Sequence, residues 1–337
     1  MLPIYLISEY EKLVKPILLK AGLPETSSKF HNRIYDDHVK FYILALKTET
    51  KMSYREIIDF LQKTNVFRNL ALAKAPHFST IHKFLMRMGK DFFRKLVREI
   101  YELVGDKGGI VGVDTTGIEI TYSSKHYDKR IERKNKGFVK LSTMMDIKNR
   151  SLVDVYAEES HKHDLRMLDQ HFKVVNMKSF GIFVGDKGYD DSTKLYWKLK
   201  KNDVEMQVPQ KNHYSGKKYT LRRGTIIQGR RRREFIESIY HQRSLLESGN
   251  FSLKWHFGSF VNAKNKENKV KETYLKAVLY NLRRLKDSLL SLLEALIFKQ
   301  FYRATLTRKL LYCCSELLSW EGSSWSQTRS TKARLRR

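Results

Sequence analysis

Three acidic residues stand where they could hold metal ions together. Asp114 ends a short apolar run, Asp186 ends another, and Glu247 lies in a segment with helical periodicity. Carboxylates at the ends of buried strands are costly to bury alone, and their oxygens are ligands that Mg²⁺ prefers. Two such ions would activate the attacking oxygen and stabilise the leaving oxygen of a phosphodiester. Taken singly, each acid is more often a helix cap, a turn residue or a surface group, so only the combination supports this chemistry.

The surroundings of Glu247 are more informative. Tyr240 is followed after three, seven and fourteen residues by Arg243, Glu247 and Lys254. At about 100° per residue, these spacings place all four side chains on one stripe of an unbroken helix. Such a stripe could hold a metal ion while its cations bind phosphates, although Gly249 could interrupt the helix and rotate Lys254 away. Spacing alone favours a solvated face with Glu–Arg and Glu–Lys pairs.

These residues resemble the signature of a known family. The pattern Y-x2-R-x3-E-x6-K is typical of DDE transposases from bacterial and archaeal insertion sequences, and it is complete here at Tyr240, Arg243, Glu247 and Lys254. Two further segments are similar to that family's aspartate motifs and occur in the same order, namely Val113–Thr116 and Gly185–Asp190. The resemblance covers about residues 105–285.

The resemblance implies a ribonuclease H-like fold in which Asp114, Asp186 and Glu247 converge on two Mg²⁺ or Mn²⁺ ions. It implies metal-dependent hydrolysis that frees a 3′-hydroxyl at a transposon end, and direct attack of that hydroxyl on target DNA. The signature residues Tyr240, Arg243 and Lys254 would contact DNA near the scissile phosphate. The implied partners are double-stranded DNA and further copies of the chain, in a homodimer or higher synaptic complex. The implied location is the prokaryotic cytoplasm, at the nucleoid.

Phosphodiester transfer suits these residues because it needs positioned oxygens and neutralised charge more than an enzyme nucleophile. Tyr240 therefore need not attack the DNA, and a covalent tyrosine recombinase would want several arginines and a histidine around its tyrosine. Two alternatives to a transposase stay open. One is a nuclease of the same fold that cuts without joining. The other is a DNA-binding derivative that has lost catalysis, against which the intact acid triad argues.

Composition favours a polyanionic partner. The chain of 337 residues has 65 Lys and Arg against 36 Asp and Glu, a formal charge of +29. Phosphate contacts supply most nonspecific affinity for nucleic acid, which makes DNA the first candidate and an anionic membrane surface the rival. No apolar run is long enough to span a bilayer, and acids at Glu9 and Glu11 argue against a secretory signal. The only cysteines, Cys313 and Cys314, fit a reducing intracellular setting and cannot form a zinc site alone.

The elements that must position the acids follow from periodicity. The order of strands, then alternating helix and strand, then helices predicts an α/β protein with a mixed sheet flanked by helices. The predicted strands are 109–114, 118–122, 138–147 with one buried face, 152–156, 182–184 and 205–209. The predicted helices are 165–172, 192–201, about 231–256 and 267–296.

Residues 1–104 are predicted to be helical. Ser53 and Glu56 form a capping-box pattern at the start of one helix, and Ser79 is the expected cap of the next. The outward positions of that second helix are of the kind that contact DNA, namely Thr80, His82, Lys83 and Arg87. Two helices around a turn suggest a helix-turn-helix DNA-binding region. A plain helical packing domain is almost equally compatible with the pattern.

Two basic segments flank the acids in sequence, at 125–140 and 211–233. We expect both to be DNA-gripping loops. DNA contacts are predicted for Arg230, Arg231, Arg232 and Arg233 at the end of the second segment, and for Lys187, which follows Asp186. Tyr214, Tyr219 and His213 could stack on unpaired bases.

The remaining polar residues receive structural assignments. His161, His163 and Asp164 form a candidate metal cluster, but a helix-capping role is favoured, with the last two residues near the site. Asp146 and Asp154 are expected to face outward from their strands. The catalytic domain is predicted to span 105–296, followed by a C-terminal helical extension and basic disordered tail at 297–337.

Overall fold

The described part of the chain, in a computed structural model, comprises residues 6–26, 35–64, 68, 72–105, 107–120, 137–159, 163–190, 194–209 and 236–289. Up to Leu285 these residues pack as one compact unit. Within them, no helix is long and apolar enough to cross a membrane.

The described part of the N-terminal region is helical, as predicted. The helices are α1 Leu6–Ala21, α2 Asp37–Glu49, α3 Tyr54–Thr64, α4 Phe78–Arg87 and α5 Lys90–Leu103. The capping box before α3 is confirmed, because Ser53 N donates to Glu56 Oε2 (2.7 Å) and Glu56 N donates to Ser53 Oγ (3.2 Å). The predicted cap at Ser79 is wrong. His77 caps α4 instead, since its ring nitrogen accepts from Ser79 N, which places Ser79 inside the first turn.

A five-stranded mixed sheet follows. Its strands are β1 Ile110–Glu119, β2 Phe138–Asp146, β3 Leu152–Glu158, β4 Ile182–Gly185 and β5 Glu205–Gln207. The spatial order is β3-β2-β1-β4-β5, with β1, β2 and β3 antiparallel and β4 and β5 parallel to β1. The predicted α/β class, a mixed sheet flanked by helices behind an N-terminal helical region, is confirmed.

The first strand is longer than predicted, which corrects two expectations. The segment 118–119 is not part of a separate second strand but continues β1, and Asp114 lies within β1 rather than at its end. Nine consecutive residue pairs hold β1 against β2 and carry the strand through Thr115–Gly117. The parallel pairing with β4 is shorter and stops at Val113 and Gly185.

The second strand lies inside the sheet, so the expectation of one buried face at 138–147 is also wrong. Residues of both faces are buried, including Leu141 and Met145 on one face and Ser142 and Met144 on the other. Strands on both edges of β2, together with helices on both faces of the sheet, remove it from solvent.

Helices complete the fold around the sheet. They are α6 Asp164–His171, α7 Leu195–Lys200, α8 Glu237–His241, α9 Ser244–Phe257 and α10 at 266–289, with single 3-10 turns at Met177–Ser179 and Lys187–Tyr189. The single helix predicted at about 231–256 is two helices over its described part, α8 and α9. The chain tightens between them, because Leu245 N donates to Gln242 O (3.0 Å) and Leu246 N donates to Arg243 O (2.9 Å), which are 3-10 bonds.

The last described helix, α10, is a buried connector. Asn281 donates to the carbonyls of Val97 (3.0 Å) and Leu152 (2.8 Å) and accepts from Leu152 N (2.8 Å). Its amide is completely buried, so these bonds satisfy a group that would be costly to bury alone. The helix therefore joins α5 to β3.

Asp154 faces inward, which corrects its predicted outward position. It is completely buried and receives two hydrogen bonds from Arg94, Nε to Oδ1 (3.0 Å) and Nη2 to Oδ2 (2.6 Å). His171 Nδ1 donates to Oδ2 (2.7 Å), and its Nε2 lies 3.0 Å from the Ser142 hydroxyl. Serine, histidine and aspartate in this order resemble a hydrolase triad, but all three are fully buried, so no substrate reaches them and the network is structural.

Asp146 is the second inward-facing acid that was predicted to face outward. It is fully buried and accepts hydrogen bonds from the Tyr101 hydroxyl (3.0 Å), Gly108 N (2.9 Å) and Lys148 N (3.0 Å). These donors belong to α5 and to the two loops at this end of β1 and β2. Asp146 therefore anchors the end of the sheet to the N-terminal helices.

Candidate active site

Asp114 and Asp186 lie side by side because of the register between β1 and β4. Val113 pairs with Gly185 as the last parallel pair, and each aspartate is the next residue of its chain. Parallel strands run roughly 4.8 Å apart. The two acids that are distant in sequence therefore extend from neighbouring backbone positions at the edge where the parallel ladder ends.

A tight turn fixes Asp186. The aspartate caps the 3-10 turn Lys187–Tyr189, and its Oδ1 accepts a hydrogen bond from Gly188 N (2.6 Å). A Cβ at Gly188 would lie 2.7 Å from that same oxygen. Glycine is therefore required for the carboxylate to fold back over the turn, which holds it at the sheet edge.

The electrostatics of Asp114 record its closeness to other charged groups. Burial raises the pKa of its carboxyl above the usual range, and the charge of Asp186 acts in the same direction. A hydrogen bond from Asn250 and the positive charge of Arg243 oppose that rise in pKa. A partly buried pair of acids is costly for the fold, so this edge of the sheet favours binding of a cation.

Helix α9, which carries the third acid, packs against the same strand as Asp114. Leu246 packs directly on β1 at Gly112, where a Cβ would lie 2.6 Å from Leu246 Cδ1. One turn later, Asn250 Nδ2 donates to Asp114 Oδ2 (2.9 Å). Glu247 lies between these two contact residues on the same helix, with its side chain 56% exposed. Its position along the sheet is therefore set by contacts on both sides of it.

Arg243 is the present partner of Glu247. Its Nη2 lies 2.5 Å from Glu247 Oε1, and its charge also acts on Asp114. Among the described residues, no three His, Cys, Asp or Glu side chains converge closely enough to hold a metal ion. The structure thus brings the two aspartates together and places Glu247 on the adjacent helix, paired with a cation.

Similarity to known proteins identifies the family of this chain. The sequence profile of the family described as transposase DDE domain matches residues 106–282. The chain belongs to this family. A structural comparison finds similarity to the Drosophila P element transposase strand transfer complex, at 11% identity and a TM-score of 0.32, over 85% of this chain and 87% of that chain. No curated protein matches the sequence.

The four signature residues of this transposase do not lie on one unbroken helix. Tyr240 lies on α8, half-buried against the hydrophobic core, and Arg243 lies at the break before α9. Gly249 does not interrupt the helix and lies inside α9. Lys254 therefore keeps its expected relation to Glu247. Burial lowers the pKa of Lys254, while the charges of Glu119 and Asp114 oppose that effect and place its ammonium group near the acids.

The other predicted site residues of the transposase are only partly described. Lys187 is exposed on the turn that follows Asp186. Arg230, Arg231, Arg232 and Arg233 lie outside the described residues, as do His161, the tail at 297–337 and all of the two basic segments except 137–140. His163 caps α6, where its Nδ1 accepts from Leu165 N (3.3 Å), which confirms the capping role. Asp164 forms an ion pair with Lys140.

Two residues near the acids of the transposase were missed from sequence. Asn250 is 4% exposed and contacts Asp114 directly. Tyr189 is buried beneath the acids, and burial together with the charges of Asp164, Asp114 and Asp186 raises the pKa of its hydroxyl. The spacing of Asn250, one turn after Glu247, was the available signal, because residues three apart share a helix face.

The close packing of Leu246 on Gly112 predicts a steric coupling in the transposase. Gly112→Ala is expected to destabilise the fold by about 1–3 kcal/mol, the cost of overpacking a tight core. Leu246→Ala should create a cavity, and the double variant should lose less stability than the sum of the single losses because the new methyl enters that cavity. Urea unfolding of the three variants measures this coupling.

Gly117→Ala on the same strand is the matched control. Its Cβ would meet no atom closer than 3.5 Å, in the ring of Phe138, so we expect little change in stability. A double variant whose loss equals the sum of the single losses would show that β1 and α9 do not press together at this point.

Proposed function

We propose that this transposase cleaves DNA at transposon ends and joins the freed 3′-hydroxyl to target DNA, using two divalent ions held by Asp114, Asp186 and Glu247. The observation that supports it most is the placement of the first two acids at adjacent strand positions, with the third on a helix packed against the same strand. The family shown by the sequence profile supports the same reaction class.

The donor set fits hard divalent ions. Asp114 and Asp186 offer oxygen ligands, and the burial of Asp114 beside a second carboxylate favours a cation there. Mg²⁺ or Mn²⁺ would be held by these two carboxylates and by Glu247. When bound, the ions supply Lewis-acid activation and charge neutralisation at the scissile phosphate. Glu247 reaches them by releasing Arg243, a rearrangement that its exposed side chain permits.

The cations around the acids act on the DNA in this proposal. Arg243, once released from Glu247, donates to a phosphate in the bidentate geometry that guanidinium groups allow. Lys254 lies in the field of Asp114 and Glu119 and neutralises a phosphate brought to the same edge. Tyr240 contacts the DNA without attacking it. The formal charge of +29 supplies the remaining, sequence-independent affinity.

The partners follow from the reaction. Two transposon ends and one target must meet, so we propose a homodimer or a larger synaptic complex on double-stranded DNA, in the prokaryotic cytoplasm at the nucleoid. We also propose that 1–104 includes the DNA-binding helices and 105–296 the catalytic domain. In the first of these segments, His82, Lys83 and Arg87 on α4 are exposed and available to DNA.

An assay with pre-cut ends tests the proposal. Short inverted repeats that bracket the reading frame supply the end sequence, and duplexes with a free 3′-hydroxyl are incubated with supercoiled plasmid and Mg²⁺. A transposase is expected to give joined products. A nuclease of the same fold would cut uncut ends but join none, and a DNA-binding derivative would shift the duplexes without cutting or joining. Either of the last two results overturns the proposal.

A further inference from the structure

Asn250 connects three elements at the candidate site. Its side chain lies on α9, is 4% exposed, and uses both ends of its amide. Nδ2 donates to Asp114 Oδ2 on β1 (2.9 Å), and Oδ1 accepts from the Thr143 hydroxyl on β2 (3.0 Å). Asp114 and Thr143 are direct cross-strand partners. The amide of Asn250 therefore bridges two paired residues on neighbouring strands, from the face of the sheet that α9 covers.

The direction of these hydrogen bonds is determined by their chemistry. A carboxylate only accepts, so the NH₂ group of Asn250 must face Asp114. The amide oxygen then faces Thr143, whose hydroxyl can donate to it. If the amide turned over, its oxygen would meet the carboxylate oxygen and the fully buried Thr143 would face an NH₂ group. The Asp114 carboxylate thus selects the orientation of the amide. The Thr143 hydroxyl, which also lies 3.2 Å from the Asp114 backbone carbonyl, contacts the amide oxygen and helps to hold it there.

This arrangement couples two of the proposed metal ligands. The bond to Oδ2 stops the Asp114 carboxylate from rotating, and so determines which lone pairs point away from α9. Asn250 also follows Glu247 by about one helical turn, so the same hydrogen bond fixes the position of Glu247 along β1. Close packing also fixes this position, because α9 lies so near β2 at the buried Gly249 that a side chain there would overlap Met145.

We propose that Asn250 is a positioning residue, held in place by Thr143, that presents the Asp114 carboxylate to a divalent cation and keeps Glu247 in register with it. The proposal rests on the proposed function, since it concerns the same ions. Groups that orient metal ligands commonly contribute about 10–100-fold to metal affinity. Asn250 acts through Asp114 and does not itself touch the reacting atoms.

Calorimetric titration of the DNA-free, full-length protein with Mn²⁺ is the primary test. Asn250→Ala is expected to raise the dissociation constant for Mn²⁺ about tenfold or more. Thr143→Val should raise it in the same direction, because the isosteric side chain no longer donates to the amide oxygen, while Thr143→Ser keeps the hydroxyl and should match the wild type. Asn202→Ala is the matched control, since the side chain of this partly exposed asparagine donates to the Lys198 carbonyl just after α7 and lies on no element of the proposed site.

The outcomes separate this inference from the proposed function. An unchanged Mn²⁺ affinity in folded Asn250→Ala, or equal affinities for Thr143→Val and Thr143→Ser, overturns the positioning role while leaving the reaction intact. If Asn250→Ala fails to fold, the two threonine variants decide, because both retain Asn250. A wild-type protein that binds no Mn²⁺ and joins no pre-cut ends overturns the proposed function, and with it the role of Asn250.

Discussion

Replacing Glu247 with Gln is expected to lower the rate of DNA cleavage at a transposon end at least about 1,000-fold, which corresponds to about 4 kcal/mol of transition-state stabilisation. Gln has the same length and lies equally well on a helix, but it carries no charge to hold a divalent ion. The side chain is 56% exposed and forms an ion pair with Arg243 at the surface, so the fold should persist. DNA affinity should not fall, because the substitution removes a negative charge that would repel the phosphates.

The measurement pairs a gel assay of end cleavage in Mg²⁺ with a binding titration on the same duplex. Glu237→Gln serves as the control, because that acid is exposed on α8, where it pairs with His241, and takes no part in the proposed site. It should cleave at the wild-type rate. If Glu247→Gln also cleaves at the wild-type rate, Glu247 is not a ligand and the assigned triad is wrong.

Much of this site was predictable because its residues follow motifs. Apolar runs placed β4 correctly, and the signature spacing placed Glu247 and Lys254 on one helix. The strand register that makes Asp114 and Asp186 neighbours could not be predicted from the local sequence pattern. Thr115–Gly117 has the composition of a turn, yet the residues form the middle of β1 because β2 pairs with them along its full length. Strand formation depends on such cross-strand partners more than on intrinsic preference.

The polar residues inside the sheet show where local reasoning fails. An acid on a strand is usually on the solvent face, and both Asp146 and Asp154 were placed there. In a sheet covered on both faces, alternation no longer separates buried from exposed positions. The partners that make burial acceptable come from far along the chain, as Arg94 does for Asp154. Asn250 was missed for the same reason, because its role depends on a contact with Asp114, which is distant in sequence.

The buried cluster around Asp154 carries the largest expected effect on stability. Asp154→Asn is expected to destabilise the fold by about 3–5 kcal/mol, because it leaves the guanidinium of Arg94 buried without its counter-charge. Arg94 lies on α5, and Asp154 and His171 lie on β3 and α6. The loss should lower the melting temperature by about 5–10 °C, and calorimetry with urea unfolding measures it. Asp169→Asn is the control, since its pair with Lys198 is exposed and surface pairs contribute little.

The same cluster predicts a pH dependence. Burial alone would raise the pKa of Asp154, but the hydrogen bonds and charges of His171 and Arg94 prevail and hold the pKa below its usual range. Stability from this group is therefore complete above the unfolded-state pKa of about 3.9 and is lost as the pH falls through it toward the folded value. The difference in unfolding free energy between wild type and Asp154→Asn should be fully present at pH 5 and shrink below about pH 4. A difference that grows with acidification would mean that Asp154 is protonated in the native protein, and that Arg94 is stabilised by other groups.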